Sequence, residues 1–178
     1  MFVKGEYHKY MSIIQFLVHF IADGAVVLVI LIGAYAILFK VPKGGRFEAY
    51  SRILLAGLTS YLIAKLLASV YQPSLERPFQ ILGVEAGALY LNNPGFPSDH
   101  ALFVTAITAA VWFETKMKKT TLLLVVLVAL ICIGRVIALV HTPLDVAGGV
   151  VIGLLGAVWY MNKLPVEKRV TRNGKSHH

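Results

Sequence analysis

An all-α, polytopic transmembrane bundle of about five to six helices follows from three observations on this 178-residue sequence. Hydrophobic side chains make up 57% of it against 15% charged ones, and its mean hydropathy is +0.72, far too apolar for a soluble domain of this length. Five apolar stretches approach the roughly 20 residues needed to cross a hydrocarbon core. Lys and Arg gather in the short loops between them, so the formal net charge of +8 reports membrane topology and lipid contact rather than nucleic-acid binding.

The first span covers about 19–39. Residues 10–18 either form a separate interfacial helix or continue this span. Asp23, inside it, is an expensive intramembrane carboxylate, and with Gly24 beside it the favoured role is a structural helix-to-helix hydrogen bond. His19 has no assigned role. The second span runs over 49–70. The stretch 79–93 is moderately apolar, contains Gly83 and Gly87, and suits a short helix at the outer interface; Glu85 within it has no role. The third span, 101–115, is short by itself, and the fourth covers 121–140. Cys132, the sole cysteine, reads there as a small packed hydrophobe. The fifth span, 144–161, carries Gly148, Gly149, Gly153 and Gly156 as small faces for close helix packing. Without repeat, low-complexity segment or linker, residues 1–178 form one integral-membrane domain, and Ser176-His177-His178 is set aside as a tag remnant. No cleavable signal peptide is expected.

Orientation follows from the loops. Lys40, Lys43, Arg46 and Arg52 lie between spans one and two, Lys116, Lys118 and Lys119 between three and four, and Lys163, Lys168, Arg169, Arg172 and Lys175 in the tail. The positive-inside rule assigns all three groups to the cytoplasm. Phe39, Tyr50, Trp112, Phe113, Trp159 and Tyr160 fall at the same ends, where amphipathic rings favour the headgroup level. The other ends then bring Lys65 through Arg77-Pro78, Ser98-Asp99-His100 and Arg135 through Asp145 to one outer face.

Those three stretches carry the chemistry of phosphate handling. His141 is suited to attack phosphorus, and Asp145, four residues on, reaches its imidazole across about one helical turn to fix the tautomer. Pro143 suits the first turn of span five with Thr142 as its cap, and Asp145 would also serve there as a capping carboxylate. His100 is placed to protonate a leaving oxygen. Ser98 opens the third span after Pro94, Gly95 and Pro97, and opposite Arg135 and His141 it is expected as an anion contact beside free helix amides rather than as an ordinary N-cap alone. Arg135, late in an otherwise apolar run, is costly unless partnered or snorkelling, and can hold phosphoryl oxygens. Arg77, stiffened by Pro78 and oriented by Glu76, and Lys65 supply two further cations; for Lys65, snorkelling to headgroups competes with phosphate contact. No His or Cys pair has zinc-ligand spacing, so no metal and no cofactor are expected.

The pattern resembles the type 2 phosphatidic acid phosphatase (PAP2) superfamily of membrane lipid phosphatases, which shares its catalytic core with vanadium haloperoxidases. That family shows Lys-x6-Arg-Pro, Pro-Ser-Gly-His and Ser-Arg-x5-His-x3-Asp. Here the second motif stands as Pro97-Ser98-Asp99-His100, and the third as Gly134-Arg135, five residues, His141, three residues and Asp145. The first departs, with eleven residues between Lys65 and Arg77-Pro78. The resemblance covers roughly 50–160 and implies the PAP2/haloperoxidase-like core. It implies His141 as nucleophile through a phosphohistidine, Asp145 as its partner, His100 as general acid, and Arg77, Arg135, Ser98 and Lys65 as phosphate ligands, without a metal.

Within the superfamily the Pro-Ser-Asp-His form looks most like bacterial undecaprenyl-diphosphate phosphatases, which implies that substrate, a multi-pass inner-membrane location with an outward-facing site, and a part in cell-wall biogenesis. A phosphatidylglycerophosphate or phosphatidic acid phosphatase is the alternative, and a lipid-binding or transport protein without chemistry is the second. A soluble haloperoxidase is disfavoured. The partners expected are the lipid phosphate and membrane lipids, with no nucleic acid and no obligate protein partner.

Overall fold

The structure, a computed structural model, describes residues 12–161. Residues 10 and 11 of the possible interfacial helix, the basic tail from Lys163 to Lys175 and Ser176-His177-His178 lie outside the described residues. Helix α1 is one run, Ser12–Lys40. The stretch before position 19 therefore continues the first span, at least from Ser12, rather than forming a separate element. A π-helical turn at Phe20–Gly24 interrupts the α pattern midway. After a 3-10 turn at Lys43–Gly45 come α2 (Arg46–Val70), α3 (Pro78–Leu82), α4 (Asp99–Glu114), α5 (Lys118–Ile137), α6 (Pro143–Leu155) and α7 (Val158–Met161). Among the described residues there is no strand.

Four runs are long and apolar enough to cross a membrane: Ser12–Lys40, Lys43–Val70, Lys118–Ile137 and Pro143–Met161. The predicted third span is the 16-residue α4, and its shortness has a physical reason. It is the most enclosed helix, with Ala101, Leu102, Val104, Thr105, Thr108, Ala109, Ala110, Val111 and Glu114 all buried, so its neighbours rather than lipid surround it. Outward faces of the other helices keep Leu31, Leu54, Leu122 and Val151 exposed, the arrangement expected where the surrounding solvent is hydrocarbon.

Helix α4 packs most closely on α6, and glycines set the distance. A Cβ on Gly153 would lie 2.8 Å from the Leu102 carbonyl and 3.0 Å from Thr105 Cβ. Gly149, one turn earlier, meets Ser98 and Ala101 in the same way, and Gly156 meets Ala56 and Ser60 of α2. On its other side α4 joins α1 and α5 through Val29, Val104, Val111, Leu124 and Ile131, all fully buried.

Alternating helix directions sort the ends of the bundle. Lys40, Lys43, Arg46 and Lys118 share one end, while the starts of α4 and α6 and the end of α5 share the other. Connections at that second end are long and irregular. The predicted interfacial helix over 79–93 is helical only for Pro78–Leu82, because Gly83 adopts a left-handed φ of 64° and closes it. Residues 83–93 then run as an extended strap fastened to the loop after α5, with the Gly87 amide donating to the Ala138 carbonyl at 3.0 Å.

Candidate active site

Each chemical residue at this end is placed by local backbone logic. Thr142 is the N-cap of α6: its hydroxyl accepts from the Asp145 amide at 3.2 Å, and the Asp145 carboxylate accepts from the Thr142 amide at 2.8 Å, a reciprocal capping box with Pro143 in the first turn. The same carboxylate oxygen, Oδ2, lies 3.6 Å from His141 Nδ1. Asp145 thus caps the helix and faces the imidazole at once. The ring is left to present Nε2 for chemistry. Gly95 packs against this pair so tightly that a Cβ there would lie 3.0 Å from Asp145 Oδ2. Burial pushes the His141 imidazole below its ordinary pKa; the Asp145 contact opposes that shift, and the positive charges of Arg135 and Arg77 add to it.

Between α5 and His141 the chain reverses through Leu139, which adopts φ 59°, an uncommon conformation for a side chain of that size. The turn folds back on the helix end, so that the amides of both Val140 and His141 donate to the Arg135 carbonyl at 3.3 Å. The spacing from Arg135 to His141 in sequence thereby becomes proximity in space. Leu139's carbonyl also accepts from the Phe79 amide at 3.0 Å, which fixes the start of α3 and with it Arg77.

Arg77 is 5% exposed and fully oriented by protein groups. Nη1 donates to the Val140 carbonyl at 2.5 Å, and Nη2 to Asn93 Oδ1 at 3.0 Å and to the Leu91 and Asn93 carbonyls at 3.2 Å. These partners, together with the Tyr90 ring 5.6 Å from the guanidinium, orient it in place of Glu76. Burial lowers its pKa, with Asp145 and Asp99 opposing, yet an arginine keeps its charge. Arg135 is 1% exposed, so it does not snorkel; its partner is Asp23, whose Oδ1 accepts from Nη1 at 2.6 Å. The Nε of Arg77 and the Nε of Arg135 are both buried and without a protein hydrogen-bond partner. Buried arginine donors without partners are uncommon, and here two of them belong to residues that line one cleft.

Both arginines line a cleft of about 60 Å³ together with His100, His141, Asp99, Asn93, Gly95 and Pro97. Five of the predicted site residues therefore meet: His100, Arg77, Arg135 and His141 on the cleft, with Asp145 behind His141. Two stand apart. Ser98 is fully buried and absent from the lining; it is the N-cap of α4, its hydroxyl accepting from the Ala101 amide at 3.5 Å and its amide donating to the Asp145 carbonyl at 3.0 Å. Lys65 turns to Asp99, 3.4 Å away, and to the Tyr61 ring, and lines a neighbouring hollow of about 80 Å³ with Gln72 and Phe96. Among the described residues no three His, Cys, Asp or Glu side chains gather as a metal-binding group.

A family model described as the PAP2 superfamily matches residues 49–169. The chain belongs to that superfamily. No curated protein and no solved structure matches it. Membership implies phosphatase activity in general, on a multi-pass membrane protein with the PAP2 helical core, and the matched region holds every residue on the cleft. What sequence reasoning missed lies partly outside that region. Asp23 makes the helix-to-helix bond expected of it, but its partner is a cleft arginine; the signal is the cost of two intramembrane charges that have to meet. Asn93 and Gly95 had only the Pro-Gly-rich setting to mark them.

Proposed function

We propose that the chain hydrolyses the terminal phosphate of a lipid phosphate or diphosphate through a phosphohistidine, with undecaprenyl diphosphate the favoured substrate. The observation that carries this reading is the convergence of two histidines and two arginines with unused buried donors on one cleft, at the end of the bundle away from the Lys-rich loops. With those loops in the cytoplasm, the cleft faces the outer side of a bacterial inner membrane, where a carrier lipid is recycled. The polyprenyl preference rests on the Pro97-Ser98-Asp99-His100 form of the second motif.

In the first step Nε2 of neutral His141 attacks the terminal phosphorus, and the bond to the leaving oxygen breaks. Protonated His100 delivers its proton to that oxygen, so a diphosphate leaves the lipid monophosphate. Positive charge developing on His141 is stabilised by Asp145 across Nδ1. Arg77 and Arg135 hold the phosphoryl oxygens in the flattened transition state, where charge neutralisation and alignment do most of the catalytic work. His100, now neutral, takes a proton from water as the water attacks the phosphohistidine, and inorganic phosphate departs with His141 restored.

The test is release of inorganic phosphate in detergent from a panel of undecaprenyl diphosphate, phosphatidylglycerophosphate and phosphatidic acid, with EDTA present and with folded His141→Ala as control. Turnover with EDTA, highest on the diphosphate, inhibited by vanadate and lost by at least about 10⁴-fold in His141→Ala, is expected. Preference for a glycerophospholipid moves the substrate to the alternative; near-normal turnover in His141→Ala removes the phosphohistidine.

A further inference from the structure

Asp23 stands at a junction that its position in the first helix does not advertise. Its Oδ1 accepts from Arg135 Nη1 at 2.6 Å and lies 3.8 Å from His100 Nε2, and its Oδ2 accepts from the Leu89 amide at 2.8 Å. A single carboxylate therefore touches a cleft arginine, faces the proposed general acid and anchors the strap whose next residues hold Arg77. The local fold is built to put it there. The π turn at Phe20–Gly24 adds a residue to the helical circuit and changes which side chain faces the bundle. Gly134, next to Arg135, lets α5 close on that turn: a Cβ at 134 would lie 2.9 Å from Ile21 and 3.1 Å from the Ala22 amide.

From this geometry we infer that Asp23 is a positioning residue of the active site, aiming Arg135 at the phosphoryl group and setting the charge that faces His100, a role that rests on the phosphatase reading. Arg135 is a long side chain that lines the cleft, and the carboxylate on Nη1 fixes where its guanidinium lies while Nε stays buried and without a partner. For His100, the charges that face it come from every side. These groups are Asp23 of α1, Asp99 of its own helix, Arg135 of α5 and His141 before α6. Asp23 is the carboxylate that faces both Arg135 and His100 from across the bundle, and it offsets the arginine's charge beside the general acid. His19, one turn before Asp23 with Nε2 at 3.8 Å from Oδ2, extends the same cluster toward the helix start.

The experiment uses the full chain in detergent, with a soluble polyprenyl diphosphate of short chain as substrate and orthovanadate as the binding probe. Asp23→Asn is expected to lower kcat about 100-fold with KM changed less than fivefold, to weaken vanadate inhibition about tenfold, and to move the alkaline limb of the pH profile to lower pH. Asp23→Glu, which keeps the charge but shifts it, is expected to recover part of kcat and to leave the alkaline limb where the native protein has it. A folded Asp23→Asn protein with the native kcat, vanadate affinity and pH profile overturns the inference. So does an unfolded Asp23→Asn paired with an Asp23→Glu that matches the native enzyme in all three, since Asp23 then belongs to the scaffold alone. Failure of the native protein to turn over substrate or bind vanadate strikes the phosphatase reading first, which separates the two.

Discussion

Two arginine–carboxylate pairs lie inside the bundle about 20 Å apart along α4, and they are built in opposite ways. At the Lys-rich end, Arg52 grips Glu114 with both faces of the fork, Nε to Oε1 at 2.7 Å and Nη2 to Oε2 at 2.9 Å, beside the buried Tyr160 ring stacked on Phe113. At the cleft, Arg135 gives Asp23 only Nη1 and leaves Nε buried and unpartnered. The Arg52 guanidinium spends Nε and Nη2 on one carboxylate and joins α2 to α4. The Arg135 guanidinium spends one nitrogen on its carboxylate, and on the proposed function the rest of it serves the phosphate. The contrast separates structural charge from functional charge without reference to any motif.

The sharpest way to break that contrast is to remove each pair in turn. Arg135→Ala is expected to cut turnover by about 10³-fold, through loss of a transition-state donor, and to destabilise the fold by about 3 kcal/mol because Asp23 is left without its cation. Glu114→Ala is expected to cost a similar amount of stability while turnover per folded molecule stays within about twofold. Thermal unfolding in detergent and rates normalised to folded protein measure both. Equal loss of turnover in the two variants would erase the distinction.

Much of the cleft was legible because its pieces are local. Thr142-Pro143 followed by Asp145 announces a capped helix start, and the cap itself points Asp145 at His141. Arg135 is legible as a cation too costly to leave idle in an apolar run, and Arg77 as the cation stiffened by Pro78. The pairing of Asp23 with Arg135 was not, since it bridges 112 positions and depends on how a π turn and Gly134 let two helices touch. Nor was the strap over 83–93, whose course is set by backbone hydrogen bonds to Ala138 and Asp23 rather than by periodicity. Nor was the part of Ser98: opposite Arg135 and His141 it reads as an anion contact in preference to an ordinary N-cap, yet its hydroxyl accepts from the Ala101 amide.

A smaller effect tests the electrostatics on the cleft side of the comparison. His141 must be neutral to attack, and burial, reinforced by Arg135 and Arg77, holds its pKa below the ordinary histidine value of about 6.5. The sign follows: the neutral form persists as pH falls past that value, so the acid limb of kcat/KM is expected below about pH 6.5, and turnover is lost only on further acidification. Removing one of the two cations relaxes the depression, so Arg77→Met is expected to move the acid limb upward on its residual activity. A pH–rate series on both proteins measures the shift, and an acid limb that moves downward would contradict the assignment of His141 as the titrating base.

Lys65 supplies the smallest expected change and the finest test of whether partnering decides function. Its ammonium already faces Asp99 at 3.4 Å, both side chains are 43% exposed, and it lines the hollow beside the cleft rather than the cleft itself. An exposed pair of this kind contributes little to stability, and water and ions screen its charge from the reaction centre. Arg77, by contrast, is buried, fixed by four oxygen acceptors, lines the cleft and keeps a buried Nε without a partner. Lys65→Ala is therefore expected to lower kcat/KM by less than about fivefold and Arg77→Ala by about 100-fold or more, measured side by side on the same lipid diphosphate. If Lys65→Ala proves the more damaging, the ammonium leaves Asp99 when substrate arrives, and the hollow it lines becomes part of the phosphate site.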